Sequence, residues 1–148
     1  MSIKLLIVDD SDTIRDQIKS FLSKESDIKV IGEATDGEAA ILFARQLSPD
    51  VVLMDINMPK LSGIDSATEI LRNNALTKII LISAHSEKHF VTTSLKAGVS
   101  GYVLKTFINQ DLIPAIRAVI ANKFFLSPQI KNVVIEDYTK QPPESNDS

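Results

Sequence analysis

Five short apolar runs, at residues 3–8, 28–32, 51–54, 79–82 and 101–104, recur along a chain of 148 residues. Several are continuous rather than alternating, the pattern of strands covered on both faces. Between them, residues suited to a core fall at helical spacing. They are Ile14, Ile18, Phe21 and Leu22; Ala40, Phe43, Ala44 and Leu47; Ile64, Ala67 and Leu71; Phe90, Val91, Ser94 and Leu95; and Leu112, Ile116, Val119 and Ile120. Turn chemistry falls between the elements, at Asp36-Gly37, Ser48-Pro49-Asp50, Ser62-Gly63 and Gly98. Ser62 with Asp65 forms a capping-box pattern before the third helix. A βα unit repeated five times with short connections predicts an α/β fold, a parallel sheet wrapped by helices on both sides.

Composition removes several function classes. There is no cysteine, so no disulfide framework, thiolate metal site or cysteine nucleophile can form. The apolar runs are far too short to span a membrane, and the N-terminus lacks the layout of a signal peptide. The cytoplasm is the expected location. The net charge of −3 comes from the C-terminus, where Glu136, Asp137, Glu144 and Asp147 outweigh Lys140. Residues 1–135 are neutral overall and carry no basic run of the kind that binds nucleic acid.

Ligands of open α/β sheets bind outside the carboxyl ends of the strands. Asp9 and Asp10 follow the first run, Asp55 the third, Ser83 the fourth and Lys105 the fifth. Three carboxylates on one rim repel one another and resist burial. A divalent cation would relieve both costs. With no cysteine or histidine at these strand ends, the oxygen-only ligand set favours Mg²⁺ or Mn²⁺ over zinc. Three acids, an ammonium and a hydroxyl amount to half of a phosphoryl-transfer site.

In order and position, "VDDS", "VVLMDINMPKLSGID", "LISA" and "GYVLK" resemble the receiver domain of two-component response regulators, over roughly residues 3–123. The resemblance implies a flavodoxin-like, doubly wound sheet of strand order 2-1-3-4-5, with the receiver in residues 1–124. A connecting helix and disordered tail would follow in 125–148, the helix opening at Ser127-Pro128 and running through Glu136. Asp55 would be the phosphoacceptor, taking its phosphoryl group from a sensor histidine kinase that docks beside the first helix. Asp9, Asp10, Asp55 and the backbone carbonyl of Asn57 would hold Mg²⁺. Lys105 would pair with Asp55 and then with the phosphoryl group. Ser83 and Tyr102 would form the switch, and Asn57 with His85 would tune hydrolysis of the acyl phosphate.

Such a protein is a switch rather than an enzyme with a separate substrate. Many receivers place proline after the lysine of the fifth strand, and this chain has Thr106. That departure, with "KFFLSP" at residues 123–128, is most like receivers of the NarL/FixJ class, which continue into a LuxR-type DNA-binding domain. DNA would then be met only through a further domain, and a stand-alone receiver acting by protein contact is the alternative. Phosphorylation-dependent homodimerisation is a further expectation, through the edge of the fifth helix at Ile113 or Ala118. An aspartyl-phosphate phosphatase of the haloacid dehalogenase type fits poorly, because Ile14 stands where its D-x-D-x-T motif needs threonine.

Overall fold

The computed structural model describes residues 2–130. The proposed helix through Glu136 and the tail beyond it fall largely outside the described residues. Strands and helices alternate as β1 (Ile3–Val8), α1 (Asp12–Leu22), β2 (Ile28–Ala34), α2 (Gly37–Leu47), β3 (Val51–Asp55), α3 (Gly63–Asn73), β4 (Lys78–Ser83), α4 (Lys88–Lys96), β5 (Gly101–Leu104), α5 (Ile108–Ile120) and β6 (Phe125–Leu126). A short 3₁₀ turn, Lys105–Phe107, joins β5 to α5.

The described strands form one parallel sheet of order β2-β1-β3-β4-β5-β6. Five strands lie in the expected order, and β6 extends the edge beside β5. Residues 125–130, read from sequence as the start of a connecting segment, therefore pack onto the sheet, and Ile130 is fully buried. Only a two-residue strand is involved, too short for apolar periodicity to announce it.

Alternation along each strand divides the core in two. Ile3, Leu5, Ile7, Leu53, Ile80, Ile82 and Val103 pack with residues of α1 and α5, such as Ile18, Leu112 and Ile116. Leu6, Val8, Val52, Met54, Leu81, Tyr102 and Leu104 pack with Ala40, Ala67, Ile70 and Val91 of α2, α3 and α4. Both faces are apolar because both are covered. Each fully buried aliphatic side chain contributes about 1.5–3 kcal/mol of transfer free energy. The fifth helical stripe is narrower than its spacing suggests: Leu112, Ile116 and Val119 are buried, whereas Ile120 is 39% exposed.

Helix starts follow local chemistry. Ser11, Asp36 and Ser62 cap α1, α2 and α3, their side-chain oxygens accepting from the backbone N–H groups of Ile14, Ala39 and Asp65. Gly98, at φ +95° after α4, takes the left-handed conformation that ends many helices. At Gly63 the need is space. A Cβ there would lie 2.5 Å from the carbonyl oxygen of Asp55 and 2.8 Å from the Cα of Ile56. Glycine thus lets α3 start directly against the end of β3.

Candidate functional site

Strand register assembles the site. Val8 pairs with Met54 across β1 and β3, so the next residues along, Asp9 and Asp55, emerge side by side. Asp9, Asp55 and Lys105 continue the alternation of Ile7, Leu53 and Val103, on the side of α1 and α5. Ser83 continues that of Leu81, on the side of α4 where Tyr102 also lies. Alternation therefore separates Asp9, Asp55 and Lys105, the charged half, from Ser83 and Tyr102, the neutral half; Asp10 joins the charged half through proximity to Asp9 and Asp55.

In the charged half, one oxygen from each of Asp9, Asp10 and Asp55 lies within 4.8 Å of the others. Asp9 and Asp55 are buried and Asp10 is exposed. Lys105 Nζ donates to Asp55 Oδ2 at 3.1 Å, and the backbone N–H of Asn57 donates to Asp55 Oδ1 at 3.1 Å. The N–H of Ser11 donates to Asp9 Oδ1 at 2.9 Å. Burial pushes the Asp9 carboxyl above its ordinary value, and the charges of Asp55 and Asp10 act in the same direction. The Ser11 hydrogen bond and Lys105 pull the other way without cancelling the rise. These acids hold an electrostatic cost that a bound cation would remove. An all-oxygen donor set opening onto a shallow cleft of about 410 Å³, bordered by Asp10, Asn57 and Met58, fits a hard divalent ion.

Sequence reasoning passed over Arg15. This buried guanidinium donates through Nη1 to the backbone carbonyl of Asp9 at 2.6 Å and through Nε to Glu33 at 2.9 Å. It also pairs with Asp12. Lys19 shares Glu33 at 2.8 Å. The β1–α1 turn that carries the acids is thereby tied to β2. A spacing of six between Asp9 and Arg15 was the available hint, and it is weak without knowledge of Glu33.

The neutral half is a hydrogen-bonded series. Ser83, fully buried, accepts the backbone N–H of His85 on its hydroxyl at 2.9 Å. Tyr102 is turned inward and fully buried, and its hydroxyl donates to the carbonyl of His85 at 2.8 Å. Burial pushes the Tyr102 phenol up, with the Ser83 hydroxyl offsetting part of the rise. The His85 ring stacks on Phe90 with centroids 4.3 Å apart. Its Nε2 lies 3.2 Å from Asn57 Nδ2, and its Nδ1 lies 3.4 Å from Glu87. His85 thus bridges the two halves through Asn57. The His89 ring tilts against Phe90, on the helix side of the series. The peptide between Lys105 and Thr106 is trans, since no cis bond occurs among the described residues.

No helix among the described residues is long and apolar enough to cross a membrane. The response regulator receiver domain family matches residues 5–117. The chain is 33% identical over 138 residues to the transcriptional regulatory protein DegU of Brevibacillus brevis, covering 93% of this chain and 58% of that protein. It is 35% identical over 144 residues to the response regulator GacA of Pseudomonas aeruginosa, covering 97% and 67%. It therefore spans about three fifths to two thirds of the length of these relatives. Among solved structures, a LuxR-family two-component response regulator from Aurantimonas superposes with a TM-score of 0.90 at 27% identity, covering 94% of this chain and 99% of that one. Motifs, strand order and these likenesses agree, and the chain belongs to the receiver domain family of two-component response regulators.

Proposed function

We propose that this receiver is a phosphorylation-driven switch in which Asp55 accepts a phosphoryl group from the phosphohistidine of a sensor kinase. The carrying observation is the pairing of Lys105 Nζ with Asp55 at 3.1 Å beside two further carboxylates. One oxygen of Asp55 is paired with the ammonium, and all three acids lie close enough together to share a metal ion. In the transfer, a carboxylate oxygen of Asp55 bonds to phosphorus as the P–N bond breaks, and its electron pair returns to the imidazole. An ionised carboxylate has no proton to lose, so no separate base is needed.

Asp9, Asp10, Asp55 and the carbonyl of Asn57 are the residues that would hold Mg²⁺ (or Mn²⁺), which supplies charge neutralisation when bound. Lys105 neutralises a phosphoryl oxygen, and the Ser83 hydroxyl binds another. Asn57 and His85, in contact at 3.2 Å, tune hydrolysis of the acyl phosphate. The inward Tyr102, bonded to the His85 carbonyl, reports on this change to the surface of α4, β5 and α5. The protein catalyses only its own phosphorylation and dephosphorylation. We read residues 1–124 as the receiver proper and 125–148 as the connection beyond it.

Its relatives include a transcriptional regulatory protein, and the chain spans part of their length. This supports a receiver that acts on DNA through a further domain, in the cytoplasm, with dimerisation as an output contact. A decisive experiment incubates the protein with acetyl phosphate and Mg²⁺ and follows mass. Wild type is expected to gain one phosphoryl group that Asp55→Asn does not; equal labelling of both proteins overturns the reading.

A further inference from the structure

Ser127 follows β6 and is fully buried, yet each of its polar groups has a partner. Its N–H donates to the carbonyl of Tyr102 at 3.1 Å, and its carbonyl accepts from Ile130 N at 2.8 Å. Its hydroxyl donates to Asp111 Oδ2 at 2.7 Å and accepts the N–H of Leu104 at 3.0 Å. In a regular parallel ladder that Leu104 N–H would bond to the carbonyl of the facing strand. Here the chain turns away after β6, and the serine hydroxyl stands in for its own carbonyl.

Leu104 immediately precedes Lys105, and Asp111 lies in the first turn of α5, where an acid complements the helix N-terminus. The hydroxyl of Ser127 therefore closes a buried bridge across the β5–α5 junction that presents Lys105. The same residue is bonded to the backbone of Tyr102. Ile130 packs in the same core cluster as Tyr102, Leu104 and Val91. Residues 125–130 thus bond to the backbone of Tyr102 in the neutral half and of Leu104, the residue before Lys105 of the charged half.

We propose that Ser127, with Asp111, is a positioning residue for Lys105 and Tyr102, so that phosphoryl occupancy and docking of residues 125–130 are energetically linked. This rests on the phosphorylation reading above and extends it to the segment that leads out of the receiver. Coupling between two sites is reciprocal. If the docked segment holds Lys105 in place for the phosphoryl group, occupancy must in turn tighten the segment.

The test uses the 148-residue chain with Mg²⁺ and beryllofluoride as the phosphoryl analogue. Ser127→Ala is expected to weaken beryllofluoride binding by about 5–150-fold, the usual range of such couplings. Asp111→Asn, which keeps an acceptor oxygen, is expected to retain most of the wild-type affinity. The reciprocal arm needs no variant: in wild type, beryllofluoride is expected to slow hydrogen exchange at the amides of Phe125 and Ser127. A weaker variant without that change in exchange means a merely structural serine and overturns the link. Binding to wild type with unchanged exchange and an unaffected Ser127→Ala overturns the link alone. No binding to wild type, or equal binding to Asp55→Asn, overturns the phosphorylation reading and the link with it.

Discussion

The two halves of the rim stand on the same strands and differ in almost everything else. In the charged half, Asp9, Asp55 and Lys105 crowd together with Asp10 alongside, and Asp9 is shifted upward by burial. On the α4 side, Ser83, Tyr102 and the backbone of His85 are joined by neutral hydrogen bonds. The charged half is poised at an electrostatic cost and gains on binding a cation. Its neutral neighbour has partners for these groups already and can only exchange one set for another. On the proposed reading, chemistry belongs to the first and switching to the second. The division follows from the period-2 alternation of strands.

The largest effect should come from taking the charge out of the first half. Lys105→Met is expected to slow phosphorylation of Asp55 by about 10²–10³-fold, the usual loss for one charge-stabilising donor, read from a mass-spectrometric time course. A comparable slowing in Tyr102→Phe would erase the distinction between the halves. Next is backbone placement: Gly63→Ala should cost about 1–3 kcal/mol of overpacking, measured by urea unfolding. The clash falls on the carbonyl of Asp55, so phosphorylation should slow as well. In the neutral half, Tyr102→Phe leaves the half-buried His85 carbonyl without its donor. It should lose about 1 kcal/mol of stability with little change in the rate of phosphorylation.

The smallest effect is a pH dependence whose sign separates the charged site from ordinary surface pairs. Asp9 is raised in the folded state, so the metal-free fold binds its proton more readily than the unfolded chain does. Its contribution to stability is therefore lost as pH climbs from the ordinary value of 3.8 through the raised one. Glu33, lowered chiefly by Lys19, and Asp27, lowered by Arg117, act oppositely: their stabilisation is present above the ordinary carboxyl range and lost on acidification. Subtracting the Asp9→Asn curve from wild type should leave a difference that falls with rising pH in metal-free buffer and shrinks with Mg²⁺ present.

How much of this was legible beforehand depends on whether local pattern or tertiary pairing decided the matter. The first five strands were readable because buried parallel strands are continuously apolar, and Asp9, Asp55, Ser83 and Lys105 were readable from their places at the carboxyl ends of those strands. Arg15 was not, since a basic residue on a helix ordinarily meets solvent. Its burial depends on Glu33 of β2 and the Asp9 carbonyl. Two-residue β6 was hidden because Ser127, Leu104 and Asp111 hold it by tertiary bonds. Neither could the sequence reveal that Tyr102 is turned inward, a matter of rotamer.

Calorimetric titration with Mg²⁺, for wild type and Asp9→Asn, tests most directly whether these acids are held together for a cation. The expected result is one ion per wild-type chain, with weaker binding on acidification, and an affinity lower by roughly tenfold or more in the variant, at least the loss typical of an outer-shell partner. Equal affinity in the two proteins, or no binding by either, would contradict it.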